Sequence, residues 1–216
     1  MSSLRTPAST LNQPTVIVID DDPGMGEAVC SLIRSVGFQT KLLGSVDEFH
    51  GLARPSGPSC LVLDIRLPGQ SGLDLQRELA AAHVQIPIIF ITGHGDIPMS
   101  VQAMKGGAIE FLIKPFRDQD LLDAIQVGLS RDRARLEEEK REAELLARFK
   151  TLSHREQEVL VRVASGYLNK QIAGELGISE VTVKVHRGHV MRKMKASSLP
   201  DLTRMVDRLK HAGTNL

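Results

Sequence analysis

Four short apolar runs rich in β-branched residues recur along the first half of the chain, and they constrain its fold more than any other feature. They are Val16–Ile19, Leu61–Leu63, Ile88–Ile91 and Phe111–Ile113. A continuous apolar run is typical of a strand buried on both faces, as in a parallel sheet covered by helices. Amphipathic helical patterns separate the runs, as in βαβ units. The sequence therefore predicts an α/β domain with a doubly wound parallel sheet.

Polar residues able to carry chemistry lie at or just beyond the ends of these predicted strands. They are Asp20, Asp21, Asp64, Thr92 and Lys114. The carboxyl ends of parallel strands share one edge of a sheet, so we expect the five side chains to lie close together. Three carboxylates would then face one hydroxyl and one ammonium.

This set of side chains suits magnesium-assisted phosphoryl transfer. Mg²⁺ prefers hard oxygen ligands and is usually completed by water and phosphate oxygens. Three neighbouring acids repel one another, so a bound cation would allow all of them to stay ionised. A carboxylate can attack phosphorus and form an acyl phosphate while cations neutralise the transferring group. We predict that Asp64 is the nucleophile and that Lys114 supplies compensating charge.

The motifs around these positions resemble the receiver domain of two-component response regulators. The motifs are Asp20-Asp21, the run LVLDIRLPG from Leu61 to Gly69, Thr92-Gly93 and Lys114-Pro115-Phe116, and the likeness spans residues 14–130. The resemblance implies a flavodoxin-like domain with a five-stranded parallel sheet. It also implies a partner, the sensor histidine kinase that donates the phosphoryl group.

Carried over position by position, the resemblance assigns the phosphoacceptor and the metal ligands. Asp64 is implied as the phosphoacceptor. Asp20 and Asp21 are implied as the acidic pair that holds Mg²⁺ together with Asp64 and the backbone carbonyl of Arg66. Asp22 falls outside the pair and is interpreted as a solvated side chain.

The resemblance also implies a switch beside the phosphoacceptor. Thr92 and Lys114 would contact the phosphoryl group, Phe111 would be the switch aromatic, and the peptide bond from Lys114 to Pro115 would be cis. The expected response is a change in the surface formed by residues 96–107, residues 109–113 and the helix starting at Asp118. That surface would pair two copies of the chain or release the second domain.

A phosphatase is the enzyme alternative, because haloacid-dehalogenase-type phosphatases also use a strand-end Asp, a Thr or Ser, a Lys and Mg²⁺. Their nucleophile resembles the first acid of an Asp-x-Asp pair. Position 66 is Arg, and the pair of Asp20 with Asp22 lacks a flanking loop and cap insertion for a substrate. The sequence therefore favours a protein that is not an enzyme.

Composition predicts a soluble cytoplasmic chain without membrane contact. No apolar stretch approaches the length needed to span a bilayer. Residues 1–13 are rich in Ser, Thr and Pro without an apolar core, so they are interpreted as a disordered tail and not as a signal peptide. Cys30 and Cys60 fit reduced core thiols better than a disulfide framework.

Charge is distributed unequally along the chain. Residues 1–130 contain 9 Lys and Arg against 14 Asp and Glu, whereas residues 151–216 contain 11 against 6, a net charge of +5. Between them, residues 131–150 have no Gly or Pro and alternate clusters of both signs, which predicts a solvated linker helix. This helix is expected to continue the last receiver helix, which would start near Asp118. A basic second domain suggests nucleic acid as a partner.

The basic segment is patterned as short helices with recognisable starts. Ser153 and Glu156 form a capping box, Asn169 is predicted to cap a second helix, and Ser179 a third. Gly177 lies in the turn between the second and third helices, and a final helix follows Pro200. Two short helices joined by a tight turn indicate a helix-turn-helix, whose second helix enters the major groove of DNA.

Three segments of this region resemble the LuxR-type helix-turn-helix output domain. They are Thr151–Leu160, Asn169–Ala173 and Val181–His186. The whole chain is thereby similar to response regulators of the NarL/FixJ family, with a receiver at 14–130, a linker helix at 131–150 and a small all-α DNA-binding domain at 151–216. Double-stranded promoter DNA is the implied partner, with RNA polymerase as a further contact.

Matching positions imply which residues contact DNA. Lys184 and Val185 would face base edges, and Arg187 lies beside Gly188, where family members often place another basic reader. Phosphate contacts position a helix without reading sequence. The residues that fit this role are Lys170, Thr182, Arg192 and Lys193.

His186 and His189 lie three residues apart on the third helix of this domain, a spacing that could suggest a metal. No Cys or carboxylate nearby in the sequence completes a ligand set. The sequence therefore does not favour a metal site there.

The sequence as a whole predicts a phosphorylation-dependent transcription regulator that forms a homodimer on phosphorylation. A regulator that acts without phosphate, using the receiver only as an interaction module, remains the alternative. The sequence names neither the cognate kinase and signal nor the operator.

Overall fold

The computed structural model of the chain describes residues 13–93 and 97–214. Two compact units divide the chain, Met1–Leu136 and Glu137–Leu216. Residues 1–12 of the predicted tail lie outside the described residues. Asp96, the first residue of the surface expected to change on phosphorylation, also lies outside them.

The first unit contains a sheet of five parallel strands. The strands are β1 (Thr15–Ile19), β2 (Gln39–Leu43), β3 (Ser59–Asp64), β4 (Ile88–Thr92) and β5 (Glu110–Ile113), in the spatial order β2-β1-β3-β4-β5. The predicted fold class is confirmed. In such a sheet the strand order reverses between β1 and β3, and the carboxyl ends of those two strands border the crevice where ligands bind.

Strand β2 is absent from the apolar runs of the sequence because it forms an edge of the sheet. Its residues are half-buried or exposed, whereas β1, β3 and β4 are buried at every position. An edge strand need not be apolar throughout, so periodicity alone gave no signal for it.

Helices cover both faces of the sheet. They are α1 (Pro23–Ser35), α2 (Val46–His50), α3 (Gly72–Ala81), α4 (Ile97–Lys105) and α5 (Asp118–Lys150). Along β1, Ile17 and Ile19 pack into a core with α3, while Val16 and Val18 pack into a second core with α1 and α5. This alternation follows from the two-residue period of a strand. Both cysteines are buried and free, as predicted.

Helix α5 narrows the interpretation of residues 131–150 as a solvated linker helix, because three of those residues, Asp132, Leu145 and Phe149, are buried. Its first part buries Leu121 and Ile125 in the core of the first unit, and its last part buries Leu145 and Phe149 in the core of the second. Asp132, which the sequence placed in the solvated helix, is only 1% exposed. The helix is charged on average because residues 133–144, between its two buried parts, are exposed or half-buried.

The second unit is all helical. Its helices are α6 (His154–Ala164), α7 (Asn169–Leu176), α8 (Glu180–Met194) and α9 (Leu199–His211). The apolar core that joins them includes Val159, Leu160, Ile172, Val183 and Leu202. Helices α7 and α8 form the predicted helix-turn-helix, with Gly177 in the left-handed conformation at a φ of 64°.

The predicted helix starts are mostly confirmed. Ser153 and Glu156 form the capping box of α6, and the Ser179 hydroxyl accepts the Thr182 amide at the start of α8. The prediction that Asn169 caps α7 is wrong, because Asn169 is already the first helical residue and Leu168 occupies the cap position. The Asn169 side chain accepts a hydrogen bond from α8 instead of from its own helix.

Candidate functional site

An acidic pocket forms where the carboxyl ends of β1 and β3 lie side by side. Asp20 follows β1, Asp64 ends β3, and the last residue of β1 pairs with the residue before Asp64. One carboxylate oxygen from each of Asp20, Asp21 and Asp64 lies within 4.8 Å of the others. Asp20 and Asp64 are buried, and Asp21 is exposed. The structure thus gathers the three acids that the sequence singled out.

Lys114 connects the two buried acids. Its Nζ atom donates to Oδ2 of Asp20 and to Oδ2 of Asp64, each at 2.8 Å. Burial alone would lower the pKa of Lys114, but hydrogen bonds to the two carboxylates outweigh this effect and raise the pKa. The Lys114 ammonium therefore stays protonated to a higher pH than an ordinary lysine does. The peptide bond between Lys114 and Pro115 is cis, as the resemblance implied.

Backbone amides fix the remaining oxygens of the buried acids. Oδ1 of Asp20 accepts the amide of Asp22, and Oδ1 of Asp64 accepts the amide of Arg66, both at 3.0 Å. Asp22 itself is not merely solvated, because its carboxylate caps α1 by accepting the amides of Gly24 and Met25. The Asp-Pro pair at this helix start was the signal that the sequence interpretation passed over.

The donor set of the pocket fits Mg²⁺. Three carboxylates converge there, and oxygen ligands of this kind are those that the ion prefers. The site is partly open, since Asp21 is exposed, which leaves room for the waters and phosphate oxygens that usually complete the coordination of magnesium.

The expected switch residues lie on the neighbouring strands. Thr92 ends β4 and is fully buried, and its carbonyl accepts the amide of Lys114 at 2.8 Å. Phe111 lies in β5 opposite Phe90, and the centroids of the two rings are 6.5 Å apart. Phe111 is half-buried, so its ring lies between the core and the surface.

Helix α8 presents one exposed face suited to the major groove. Val181 and Val185 are 73% and 51% exposed. Lys184, Gly188 and Arg192 are also exposed, and they lie on the same side of the helix because the spacings are three or four residues. Apolar residues such as Val183 on the other side are buried in the core. Exposed apolar and basic side chains on the second helix of a helix-turn-helix can contact thymine methyl groups, base edges and phosphates.

Two more predicted DNA contacts lie near the ends of the short helices. Lys170 is exposed in the first turn of α7. The Thr182 hydroxyl lies 2.9 Å from that of Ser179 in the first turn of α8, where free amides and the helix dipole favour a phosphate.

Arg187 and Lys193 bind other parts of the protein. The Nη1 atom of Arg187 donates to Oδ1 of Asn169 at 2.7 Å, which ties α8 to α7. The Nζ atom of Lys193 donates to Oε2 of Glu156 at 2.6 Å and to the carbonyl of Thr151 at 3.2 Å. We therefore revise the interpretation of Lys193, whose ammonium neutralises a buried carboxylate and does not extend from the exposed face of α8.

Among the helices in the described ranges, none has both the length and the apolar composition needed to cross a membrane.

Two family profiles match the chain. Residues 16–126 match "Response regulator receiver domain", and residues 150–206 match "Bacterial regulatory proteins, luxR family".

Similar proteins cover nearly the whole chain. Nodulation protein W of Bradyrhizobium diazoefficiens is 55% identical over 205 residues, covering 95% of this chain and 89% of the relative. Response regulator protein TodT of Pseudomonas putida is 50% identical, covering 90% and 86%. Transcriptional regulatory protein FixJ of Rhizobium meliloti is 42% identical, covering 88% and 94%. By their names, the last two are regulators.

Solved structures agree with these matches. The response regulator StyR has a TM-score of 0.83 at 49% identity, covering 91% of this chain and 99% of that one. Full-length FixJ from B. japonicum has a TM-score of 0.53 at 36% identity, covering 93% and 98%.

Proposed function

The chain belongs to the two-component response regulators that combine a receiver domain with a LuxR-type DNA-binding domain, and from this premise we propose that phosphorylation of Asp64 controls its binding to DNA. It would act on chromosomal promoters in the cytoplasm. The observation that carries the proposal is the Lys114 ammonium, which is shared at 2.8 Å by Asp20 and Asp64. A carboxylate beside that ammonium is a nucleophile next to a charge that can stabilise a transferring phosphoryl group.

Phosphoryl transfer would start from a phosphohistidine of the partner sensor kinase. A carboxylate oxygen of Asp64 attacks phosphorus, the new O–P bond forms as the N–P bond breaks, and the electron pair returns to the imidazole nitrogen. Mg²⁺ would supply positive charge that offsets repulsion between the carboxylate and the phosphoryl oxygens. Its ligands would be Asp20, Asp21, Asp64 and the carbonyl of Arg66. Lys114 adds positive charge from the protein itself.

The switch would follow from redistribution of charge. Phosphorylation replaces the single negative charge of the Asp64 carboxylate with the roughly two negative charges of a phosphoryl group. The new oxygens compete with Asp20 for the Lys114 ammonium and attract the hydroxyl of Thr92. Movement of Thr92 at the end of β4 would open space for Phe111 on the adjacent strand. A change at the buried Thr92 and the half-buried Phe111 would thereby be transmitted to the surface over β5.

That surface supports homodimerisation as the output. Ile97, Val101 and Met104 on α4 are 79%, 44% and 46% exposed, and Ile113 at the end of β5 is 52% exposed. Exposed apolar side chains grouped on neighbouring elements favour an interface. A two-fold dimer would match two DNA half-sites. Moving such an equilibrium from 1:99 to 99:1 needs about 5.5 kcal/mol of differential stabilisation, which phosphoryl contacts and an interface would supply together.

On DNA, we infer that Lys184 and Val185 face base edges while Lys170, Thr182 and Arg192 contact phosphates. Their exposure on α8 and at the starts of α7 and α8 supports this division. RNA polymerase would be contacted once the dimer is on the promoter.

The decisive experiment compares the wild type with Asp64→Asn after incubation with a small-molecule phosphodonor and Mg²⁺. Mass spectrometry should detect one added phosphoryl group in the wild type and none in the variant. A gel-shift assay on target DNA should show tighter binding only for the phosphorylated wild type. Asp123→Asn, which changes an exposed acid on α5, is the matched control and should behave as the wild type.

Two results would refute parts of this proposal. Phosphate uptake that persists in Asp64→Asn would remove Asp64 as phosphoacceptor. DNA binding that is equal with and without phosphoryl transfer would favour the alternative in which the receiver acts only as an interaction module.

A further inference from the structure

A second cluster of metal-binding side chains lies in the DNA-binding domain, far in sequence from the acidic pocket. It consists of Glu156 on α6 together with His186 and His189 on α8, and one donor atom of each lies within 4.8 Å of the others. The sequence gave no carboxylate to complete the histidine pair, because Glu156 is thirty residues earlier in the chain. Packing of α6 against α8 supplies it.

The two oxygens of Glu156 face different partners. Oε2 accepts hydrogen bonds from Nζ of Lys193 at 2.6 Å and from the Ser153 amide at 2.8 Å. Oε1 lies 3.3 Å from Nδ1 of His189. Oε2 is therefore occupied by hydrogen bonds from Lys193 and Ser153, whereas Oε1 faces the imidazole of His189. The Glu156 side chain is 5% exposed, so few waters can hydrate Oε1.

The second feature of the cluster is the environment of one ring nitrogen of His186. Its Nδ1 atom is buried and has no hydrogen-bond partner among the residues that the structure describes. Buried polar atoms are nearly always satisfied, so an unpaired ring nitrogen requires an explanation. The ring of His189 lies edge-on to it, with centroids 6.5 Å apart. A ligand shared by the two rings would satisfy this nitrogen.

The donor types select a particular class of ion. Two imidazoles and one carboxylate are typical ligands of Zn²⁺ and of neighbouring first-row transition metals, whereas Mg²⁺ and Ca²⁺ prefer oxygen donors throughout. Histidines three residues apart lie on the same side of a helix. Tetrahedral zinc needs donors about 3.4 Å apart, so side-chain rotations of His186 and His189 would have to close the cluster by at most roughly 1.4 Å.

We propose that Glu156, His186 and His189 form a zinc-binding site that fastens the recognition helix α8 to α6. Water completes the coordination, because His189 is 43% exposed and gives the ion access from solvent. The nearby ammonium of Lys193 weakens the attraction for a cation, so the site exchanges its metal. Binding stabilises the packing of α8 beside its exposed face and occupies none of the residues on that face.

Calorimetric titration of the full-length protein with Zn²⁺ tests this proposal. Excess Mg²⁺ is included so that the all-oxygen pocket of the receiver is filled by its preferred ion. One Zn²⁺ per chain should bind, and the thermal unfolding midpoint should rise with Zn²⁺ and fall again after EDTA. Half-exposed His189 can be replaced without opening the core, so His189→Ala should fold and bind Zn²⁺ at least about tenfold more weakly.

Two further variants sharpen the test. His154→Ala removes an exposed histidine of α6 outside the cluster and should leave Zn²⁺ affinity unchanged. Lys193→Met removes the competing ammonium and should strengthen Zn²⁺ binding. The proposal is wrong if Zn²⁺ neither binds nor raises the unfolding midpoint, or if His189→Ala retains full affinity. The proposal is also wrong if excess Mg²⁺ abolishes Zn²⁺ binding, because Zn²⁺ would then be binding in the acidic pocket of the receiver.

Discussion

The carboxylate of Asp132 on α5 reaches back 73 residues to Ser59 at the start of β3. Its Oδ2 accepts the backbone amide of Ser59 at 2.8 Å and lies 3.4 Å from the Ser59 hydroxyl, and Oδ1 pairs with Arg135 at 2.8 Å. The group is 1% exposed. This contact holds the middle of α5 to the end of the sheet opposite the acidic pocket.

Replacing Asp132 with Ala should therefore destabilise the first unit. The change leaves the buried amide of Ser59 without its acceptor and removes the carboxylate that pairs with Arg135, and we expect a loss of about 2–4 kcal/mol in the free energy of unfolding. Urea unfolding followed by circular dichroism measures it. Asp123→Ala on the same helix is the control and should change stability by less than about 0.5 kcal/mol. Equal stability of the two variants would contradict the anchoring role.

Lys114→Met should separate metal binding from phosphoryl transfer. Without the ammonium, Asp20 and Asp64 lose the cation between them, so calorimetry should show tighter Mg²⁺ binding. Phosphorylation by a small-molecule donor should slow by about 10²-fold, because one stabilising charge is lost from the transition state. Lys105→Met, at the exposed end of α4, is the control. If Mg²⁺ affinity and phosphorylation rate both fell in Lys114→Met, Lys114 would not act separately on metal binding and phosphoryl transfer.

Gly72→Ala should disturb the phosphoacceptor strand. A Cβ at position 72 would lie 2.4 Å from the carbonyl oxygen of Asp64, so the start of α3 must move away from β3. We expect a destabilisation of about 1–3 kcal/mol and slower phosphorylation. A Cβ at Gly174 in α7 meets no atom of the described ranges within 4 Å, so Gly174→Ala should instead stabilise the chain by up to about 1 kcal/mol. Thermal unfolding measures the stability of both variants, and phosphorylation rates show whether only Gly72→Ala is slowed.

Arg192 and Lys193 are neighbours with different expected roles. Arg192→Ala should weaken DNA binding across all sequences and lower the slope of log affinity against log salt by about one. Lys193→Ala should leave that slope unchanged and reduce stability, because Glu156 loses its partner. Salt-dependent fluorescence anisotropy with labelled DNA, together with urea unfolding, distinguishes them. A reduced slope for Lys193→Ala would restore its predicted phosphate contact.

Lys184→Ala should lower affinity for a target site more than affinity for random DNA. The side chain is exposed on α8, and a base-edge contact contributes about 1–3 kcal/mol to discrimination. Lys195→Ala, an exposed lysine just beyond the helix, provides the control. Competition binding between target and random duplexes measures the ratio. An unchanged ratio would exclude Lys184 as a reader of sequence.

The receiver site could be predicted from the sequence because its residues are tied to the ends of apolar strands. Once the runs before Asp20, Asp64 and Thr92 are recognised as neighbours in a parallel sheet, their order and polarity bring these residues to one edge. The Ser153 and Gly177 signals worked for a related reason, since caps and left-handed turns depend on local backbone geometry. The edge strand β2 escaped detection because half-exposed residues carry no continuous apolar signal.

The sequence by itself determined which residues end the apolar strands, and hence the acidic pocket, and its charge and helix patterns indicated two domains. Only the tertiary structure decided the partners of isolated charges. Asp132 was expected in a solvated helix and is instead a buried anchor. Lys193 was predicted to contact phosphate and instead neutralises Glu156. The physical reason is that strand and helix periodicities act over a few residues. The partner of a buried charge is instead chosen by packing between segments distant in the chain, where desolvation makes an unpaired charge too costly.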